Sequence, residues 1–140
     1  MNKAVEFLRR NENNFYFAFR VLIGLLFVQH GAQKLFGAFG GNQVELMNLF
    51  AFDMSSLFVL AGIIEFFGGL FIALGLLTRL AAFFGIADMI GAWTFSHLKK
   101  GIIPLLNGGE LSALFFSAFL ILLVWGTKKW GLDNVFFKRK

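Results

Sequence analysis

The chain has 140 residues, enough for one domain spanning the whole length and too few for two ordinary ones. Apolar residues make up 58% of it and charged residues only 15%, and phenylalanine alone fills 21 positions; a soluble domain of this size leaves too much surface exposed to hide so much apolar area, so the composition argues for a membrane protein. With no cysteine, disulfides, thiolate metal sites and iron–sulfur clusters are excluded, and the net charge of +5 comes from basic residues placed like the flanks of membrane helices rather than gathered on a nucleic-acid face.

Four apolar segments follow in chain order: about 15–36, 57–77, 79–97 and 110–125. Each approaches the roughly 20 residues a helix needs to cross a bilayer. None shows the two-residue alternation of a barrel strand, which leaves helices as the spanning form. The fold class expected is therefore all-α: an antiparallel four-helix transmembrane bundle. The first segment carries Arg20, His30 and Lys34 and lacks an A-x-A-like cleavage site, so it is expected to be retained rather than removed as a signal peptide.

The connections differ in length. Segments two and three are joined almost directly at Thr78 and Arg79, which makes them antiparallel neighbours. Between segments one and two, the glycine-rich Gly37-Ala38-Phe39-Gly40-Gly41 is followed by Val44, Leu46, Met47 and Phe50 at spacings of three and four. That pattern predicts a short amphipathic helix lying at the extracytoplasmic interface. The loop before segment four holds the only proline, in Ile102-Ile103-Pro104-Leu105-Leu106, and is expected to dip back towards the membrane.

Orientation follows from Lys and Arg. Lys3, Arg9, Arg10, Arg79, Lys128, Lys129, Lys138, Arg139 and Lys140 fall on one side, against Lys34, Lys99 and Lys100 on the other. The positive-inside rule then puts both termini in the cytoplasm, with Trp93, Trp125 and Trp130 near segment ends as interface anchors.

Charge inside a span costs ~2.5–3.5 kcal/mol by insertion scales, so each instance needs a reason. At 100° per residue, Phe27 and Lys34 lie within about 40° of Arg20, and His30 about 80° away, on one face of helix 1. Glu65 in segment two is flanked by Ala61, Gly62, Gly69 and Ala73, and Asp88 in segment three by Ala81, Gly85 and Ala92. Such small-residue stripes let helices approach closely. Glu65 lies about eight residues, or ~12 Å, inside the outer start of its segment. By depth, His30, Lys34, Glu65, Asn107 and Glu110 converge in the outer half, while Arg20 near the cytoplasmic end pairs with Asp88 or snorkels to the interface. Two readings remain open. The charges serve as structural ion pairs, Lys34 with Glu65 or Glu110 and Arg20 with Asp88, that fix the bundle's register. Alternatively they form a ligand or proton site.

Other chemistries fit less well. His30 and His97 are the only histidines, which makes a bis-histidine haem conceivable, although histidines near helix ends are more often interfacial. Neither follows a Glu at the spacing a di-iron carboxylate bundle needs. There is no phosphate loop, G-x-S-x-G or HExxH, and no metal site is expected.

Arg20 through Gly24, the run from Gln29 to Gly37 (QHGAQKLFG), Gly62 through Gly69 (GIIEFFGG) and Leu74 through Arg79 (LGLLTR) together resemble the DoxX family. Asn107-Gly108-Gly109-Glu110 and Gly131-Leu132-Asp133 are similar to that family's later motifs, so the resemblance covers about residues 15–135. The departure is Gly126-Thr127-Lys128-Lys129-Trp130, which replaces a more glycine- and proline-rich linker. The resemblance implies a small four-helix integral protein of a prokaryotic cell membrane, linked to quinone-dependent redox systems; one member is a membrane subunit of a thiosulfate:quinone oxidoreductase.

The leading functional expectation is thus a quinone-interacting membrane subunit of an oxidoreductase, surrounded by membrane lipids and supplied with electrons by a redox enzyme partner. Glu65 and His30 are the candidate catalytic residues; Lys34, Asn107, Glu110, Asp88 and Arg20 are the candidate binding residues. His30 and Lys34 can donate hydrogen bonds to quinone carbonyls, and Glu65 and Glu110 can shuttle protons. The rival is a non-catalytic carrier, chaperone or scaffold binding a lipid-like molecule. Substrate, partner identity and oligomeric state are not encoded in any motif here.

Overall fold

The computed structural model describes residues 2–137. Lys138, Arg139 and Lys140, which contribute to the charge balance above, lie outside the described residues. Among those described there is no β-strand: the protein is all-helical. Helix α1 (Lys3–Arg10) precedes α2 (Glu12–Phe36), and α3 runs continuously over Met54–Leu74 with a π-helical turn at Ile64–Gly68. Helix α4 (Thr78–Ala92) continues into a second π turn, Trp93–His97. One-turn α5 (Pro104–Asn107), α6 (Glu110–Trp125) and short α7 (Asp133–Phe136) complete the chain. Helices α2 and α3 are both long and apolar enough to cross a membrane, and α6 is apolar but only 16 residues long.

The expected segments reappear with small shifts, α2 and α3 each starting three residues early. The tight turn falls at residues 75–77, one step before the predicted position, because Gly75 takes the left-handed conformation (φ 68°) that ends α3. Residues 46–50 form a 3-10 turn rather than an α-helix, with Leu46, Met47 and Phe50 exposed. The proline loop does not fold back into the core: Pro104 opens a single helical turn, and Ile102, Leu105 and Leu106 are each at least 70% exposed.

Glycine determines how the long helices meet. A Cβ on Gly24 would stand 2.5 Å from Ala73 N and 2.7 Å from Gly69 O, and one on Gly69 would stand 2.6 Å from Val28 N. Those contacts bring the backbones of α2 and α3 together at small residues, antiparallel, as a GxxxG-like stripe permits. Gly85 of α4 meets the Phe119 ring of α6 in the same way. Phe27 joins the layers, lying 5.3 Å from Phe115 and 4.7 Å from Phe119 between ring centroids. Phe27, Ile72, Ala82, Phe119 and Leu122 are wholly buried, whereas Leu22, Phe67, Phe83, Ile90, Leu114 and Val124 point outward at half exposure or more. The outer faces are therefore as apolar as the core, which suits a lipid surround rather than water.

Candidate functional site

The chain has a turn end, where α2 starts, residues 75–77 reverse and α6 stops, and a loop end bearing residues 37–53 and 98–109. Charged groups occur at both depths, and their surroundings differ.

Towards the loop end, Lys34 Nζ donates to Glu65 Oε1 at 2.6 Å. Glu65 belongs to the π turn of α3, where one extra residue per turn re-aims the side chain, a distortion frequent at functional positions. Gly62, one turn earlier, lets Leu35 and the Lys34 stem pack directly on α3. The Glu65 side chain is 6% exposed and the Lys34 side chain 30%. Glu65 Oε2 has no hydrogen-bond partner among the described residues.

Asp88 completes the group. Its position on α4 mirrors that of Glu65 across the turn at Gly75, each ~14 Å along its helix from the reversal. It lies within electrostatic reach of both Glu65 and Lys34, and its Oδ2 is likewise buried without a partner. Lys34 and Asp88 both line a groove of about 290 Å³ between α3 and α4, walled by Leu57, Phe58, Leu60, Ala61, Ile64, Gly91, Ala92 and Phe95. Leu57, Phe58, Leu60 and Phe95 on its rim are more than 40% exposed, so the groove opens on the apolar outer face.

The expected Arg20–Asp88 pair does not form, and Arg20 does not snorkel. Arg20 is wholly buried and donates to the carbonyls of Ile72 (2.6 Å), Ala73 (3.0 Å) and Trp130 (2.8 Å). The first two lie at the C-terminus of α3, where carbonyls run out of helical partners (Ile72 O also accepts from Gly75 N) and the helix dipole favours a cation. Asp88 stands too deep along α4 to reach it.

The remaining candidates scatter. Asn107 is buried, but its side chain donates to Gly101 O (2.7 Å) and accepts from Gly109 N (2.7 Å), which fixes the turn leading into α6. His97 donates from Nδ1 to Asn107 O (3.2 Å), which leaves Nε2 to accept from the Ser112 hydroxyl (3.3 Å). Both nitrogens of His97 are thus engaged in tying down that loop. Glu110 is exposed in the first turn of α6. His30 is half-buried with its ring edge-on to Phe115 at 5.7 Å and does not line the groove. The predicted outer cluster therefore contracts to Lys34 and Glu65, and gains Asp88.

At the turn end lies a second network that no sequence motif marked. Asp133 Oδ1 accepts from Leu77 N (2.7 Å), and its other oxygen accepts from the Thr127 hydroxyl; Thr78 donates to Thr127 at 2.6 Å. Tyr16 Oη donates to Gly126 O at 2.5 Å. Asp133 thereby caps the start of α4, the role its place in Gly131-Leu132-Asp133 left unassigned. Among the described residues no group of three or more His, Cys, Asp or Glu side chains is disposed to hold a metal ion.

Comparison with known proteins bears on this layout directly. Residues 15–98, which carry all of Arg20, Lys34, Glu65 and Asp88, match the sequence model of the DoxX family. The chain belongs to the DoxX family. It is 34% identical over 133 residues to an uncharacterized protein of Haemophilus influenzae, covering 89% of this chain and 93% of that one. It is 32% identical over 137 residues to an uncharacterized membrane protein of Mycobacterium tuberculosis (86% and 80% covered). A Bacillus subtilis protein whose name proposes an oxidoreductase, CatD, is 28% identical over 121 residues, with 86% of each chain covered. No solved structure matches.

Proposed function

We propose that this DoxX protein is a multi-pass membrane subunit of a quinone-linked oxidoreductase system, binding its ligand in the α3–α4 groove. In this reading α2, α3, α4 and α6 span a prokaryotic cell membrane as an antiparallel bundle. The turn end, with Arg79, Lys128 and both termini, faces the cytoplasm. The observation that carries the reading is the buried Lys34–Glu65 pair with Asp88 on the wall of an apolar, laterally open groove. A groove open to the acyl-chain region admits a ligand that travels in the bilayer, and its few polar groups fix the head. The name of the Bacillus subtilis relative adds weight to a redox setting.

A quinone carries two electrons and two protons within the membrane plane. For such a head Lys34 supplies hydrogen-bond donors and positive charge, while Glu65 and Asp88 supply sites that hold a proton. His30, Arg20 and Glu65 do not line the groove and Asn107 and Glu110 belong to the loop end, so contact with the head rests on Lys34 and Asp88, with Glu65 holding Lys34 in place. Electrons come from a partner subunit. A second reading, a carrier or scaffold for a lipid-like molecule, draws on the same groove, whose lining apart from Lys34, Asp88 and Ser96 is wholly apolar.

The test is purification from native membranes in mild detergent, with mass spectrometry of the bound small molecules and partners. Quinone and a redox enzyme should be recovered, and the quinone should disappear from Lys34→Met. Recovery of neither, from a folded protein, would overturn the redox reading. Single introduced cysteines test the topology, since the chain has none of its own: position 45 should label only from the extracytoplasmic side.

A further inference from the structure

The turn end holds a larger cleft, of about 970 Å³, where the start of α4, the end of α6 and α7 meet. Two cations line it, Arg79 and Lys128. Arg79 is exposed and, among the described residues, donates only to Val124 O at 3.0 Å. Gly126 makes room for it, since a Cβ there would stand 2.9 Å from Arg79 Nε. Lys128 Nζ sits 4.5 Å from the centre of the Trp125 ring and makes no hydrogen bond among the described residues; Glu12 Oε1, its paired carboxylate oxygen, lies 4.0 Å away. The acid in the wall, Asp133, is already occupied, accepting from Leu77 N, Thr78 N and the Thr127 hydroxyl. The cleft therefore offers cationic donors that the protein itself leaves largely unspent.

From the cleft, apolar surface continues along both helices. Leu80 forms part of the wall, and Phe83 and Phe84, three and four residues farther along α4, are exposed. Trp125 forms part of the wall from α6, and Ile121, one turn back, is exposed as well. Both strips lead from the turn end towards the middle of the helices. A soluble anion would use the donors and not the strips. A neutral lipid would use the strips and leave the donors unmet. A phosphate carried on acyl chains uses both.

We propose that this cleft binds the headgroup phosphate of an anionic phospholipid, with Arg79 and Lys128 on the phosphate and the acyl chains along α4 and α6. The proposal rests on the membrane-spanning reading above and not on the quinone site. Arg79 supplies a planar fork suited to phosphate oxygens, and Lys128 a point charge. A headgroup that carries its own cation, such as choline, brings positive charge up to both residues. Selectivity therefore favours a headgroup without one, such as glycerol.

The experiment uses the full chain in mild detergent and counts bound lipid by native mass spectrometry, titrating phosphatidylglycerol against phosphatidylcholine with the same acyl chains. The first lipid bound should favour phosphatidylglycerol by about tenfold or more, the discrimination expected of two cations at the headgroup. Arg79→Gln combined with Lys128→Gln should bring that ratio close to unity. Lys128→Gln alone removes no hydrogen bond among the described residues, so it should lower the ratio about threefold while the thermal transition stays in place. Lys99→Gln combined with Lys100→Gln makes the same change of charge at the loop end and should leave the ratio unaltered. A large excess of inorganic phosphate should not displace the lipid. Equal binding of the two lipids by the wild-type protein would overturn the proposal, as would a ratio that survives Lys128→Gln in a folded protein or falls as far with the loop-end pair. Displacement by inorganic phosphate would overturn a lipid as the occupant. No quinone is present, so the outcome is independent of whether one is recovered from native membranes, and labelling at position 45 tests the membrane topology separately.

Discussion

Arg20 and the Lys34–Glu65–Asp88 group lie about 20 Å apart along α2, both in the interior, and they solve opposite problems. Arg20 is wholly buried, and three carbonyls accept from its guanidinium. Its partners are backbone, they come from both the end of α3 and the segment after α6, and only its Nε is left without a partner. The Lys34 group is only partly satisfied, two buried oxygens are unpartnered, and a groove leads to it. Buried charge is by itself uninformative, and so is a single unpartnered atom; what separates the two regions is that Arg20 is tied to the backbone at three points, whereas Lys34 and Asp88 line a groove.

The largest effect should follow from breaking the clamp. Arg20→Met removes the donor to Ile72, Ala73 and Trp130 O, of which Ile72 O alone keeps Gly75 N, and loosens the 126–133 segment from α3. The expected loss is about 3 kcal/mol or more, read as a fall of roughly 10 °C in the thermal transition in detergent. Arg20→Lys keeps the charge but not the fork and should recover part of it. Asp133→Asn, which weakens the cap on α4 at the same end, should cost about 1–2 kcal/mol in the same assay.

Change at the other region should separate ligand binding from stability. Glu65→Gln combined with Lys34→Met replaces the pair by neutral groups of similar size, and should alter stability by only about 1 kcal/mol in either direction while abolishing ligand binding. If the pair were structural, Glu65→Gln alone would lower the thermal transition markedly and the added Lys34 change would restore it.

The smallest effect lies at the loop end. Asp53 caps α3 by accepting from Ser55 N (2.8 Å) and Ser55 Oγ (2.5 Å), and these bonds hold its carboxyl below the usual aspartate value. A depressed folded value contributes stability that is fully present above the unfolded aspartate value of about 3.9 and is lost as the pH falls through the lower folded one. The thermal transition of the wild-type protein should therefore drop slightly over that acidic window, and that of Asp53→Asn should not.

Much of this was legible in the residues themselves. Apolar runs located the long helices, the small-residue stripes marked packed faces of α3 and α4, and helical phase put Arg20 and Lys34 on one face of α2. The partner of Lys34 was within reach because Glu65 faces a glycine stripe. The place of Asp88 was not, although counting outward from the turn at Gly75 would have put it level with Glu65. The π turn at Ile64–Gly68 inserts a residue that an ideal 100° wheel cannot represent, so the phase of α3 beyond Glu65 drifts. Arg20 was misassigned for another reason: its acceptors are main-chain carbonyls, one of them delivered by the chain returning after α6, and no side-chain pattern records them. Asn107 and Glu110 were grouped by depth alone, which says nothing of azimuth around the bundle.

The difference between the two regions can be tested most directly by photolabelling. A photoreactive quinone carrying an alkyl tail, applied to the full chain in membranes and mapped by peptide mass spectrometry, should label α3 and α4 around Phe58, Ala61, Gly91 and Phe95. That label should be lost in Lys34→Met with the protein still folded. Label distributed over the outer faces regardless of Lys34, or concentrated at the turn end near Arg20, would contradict the account.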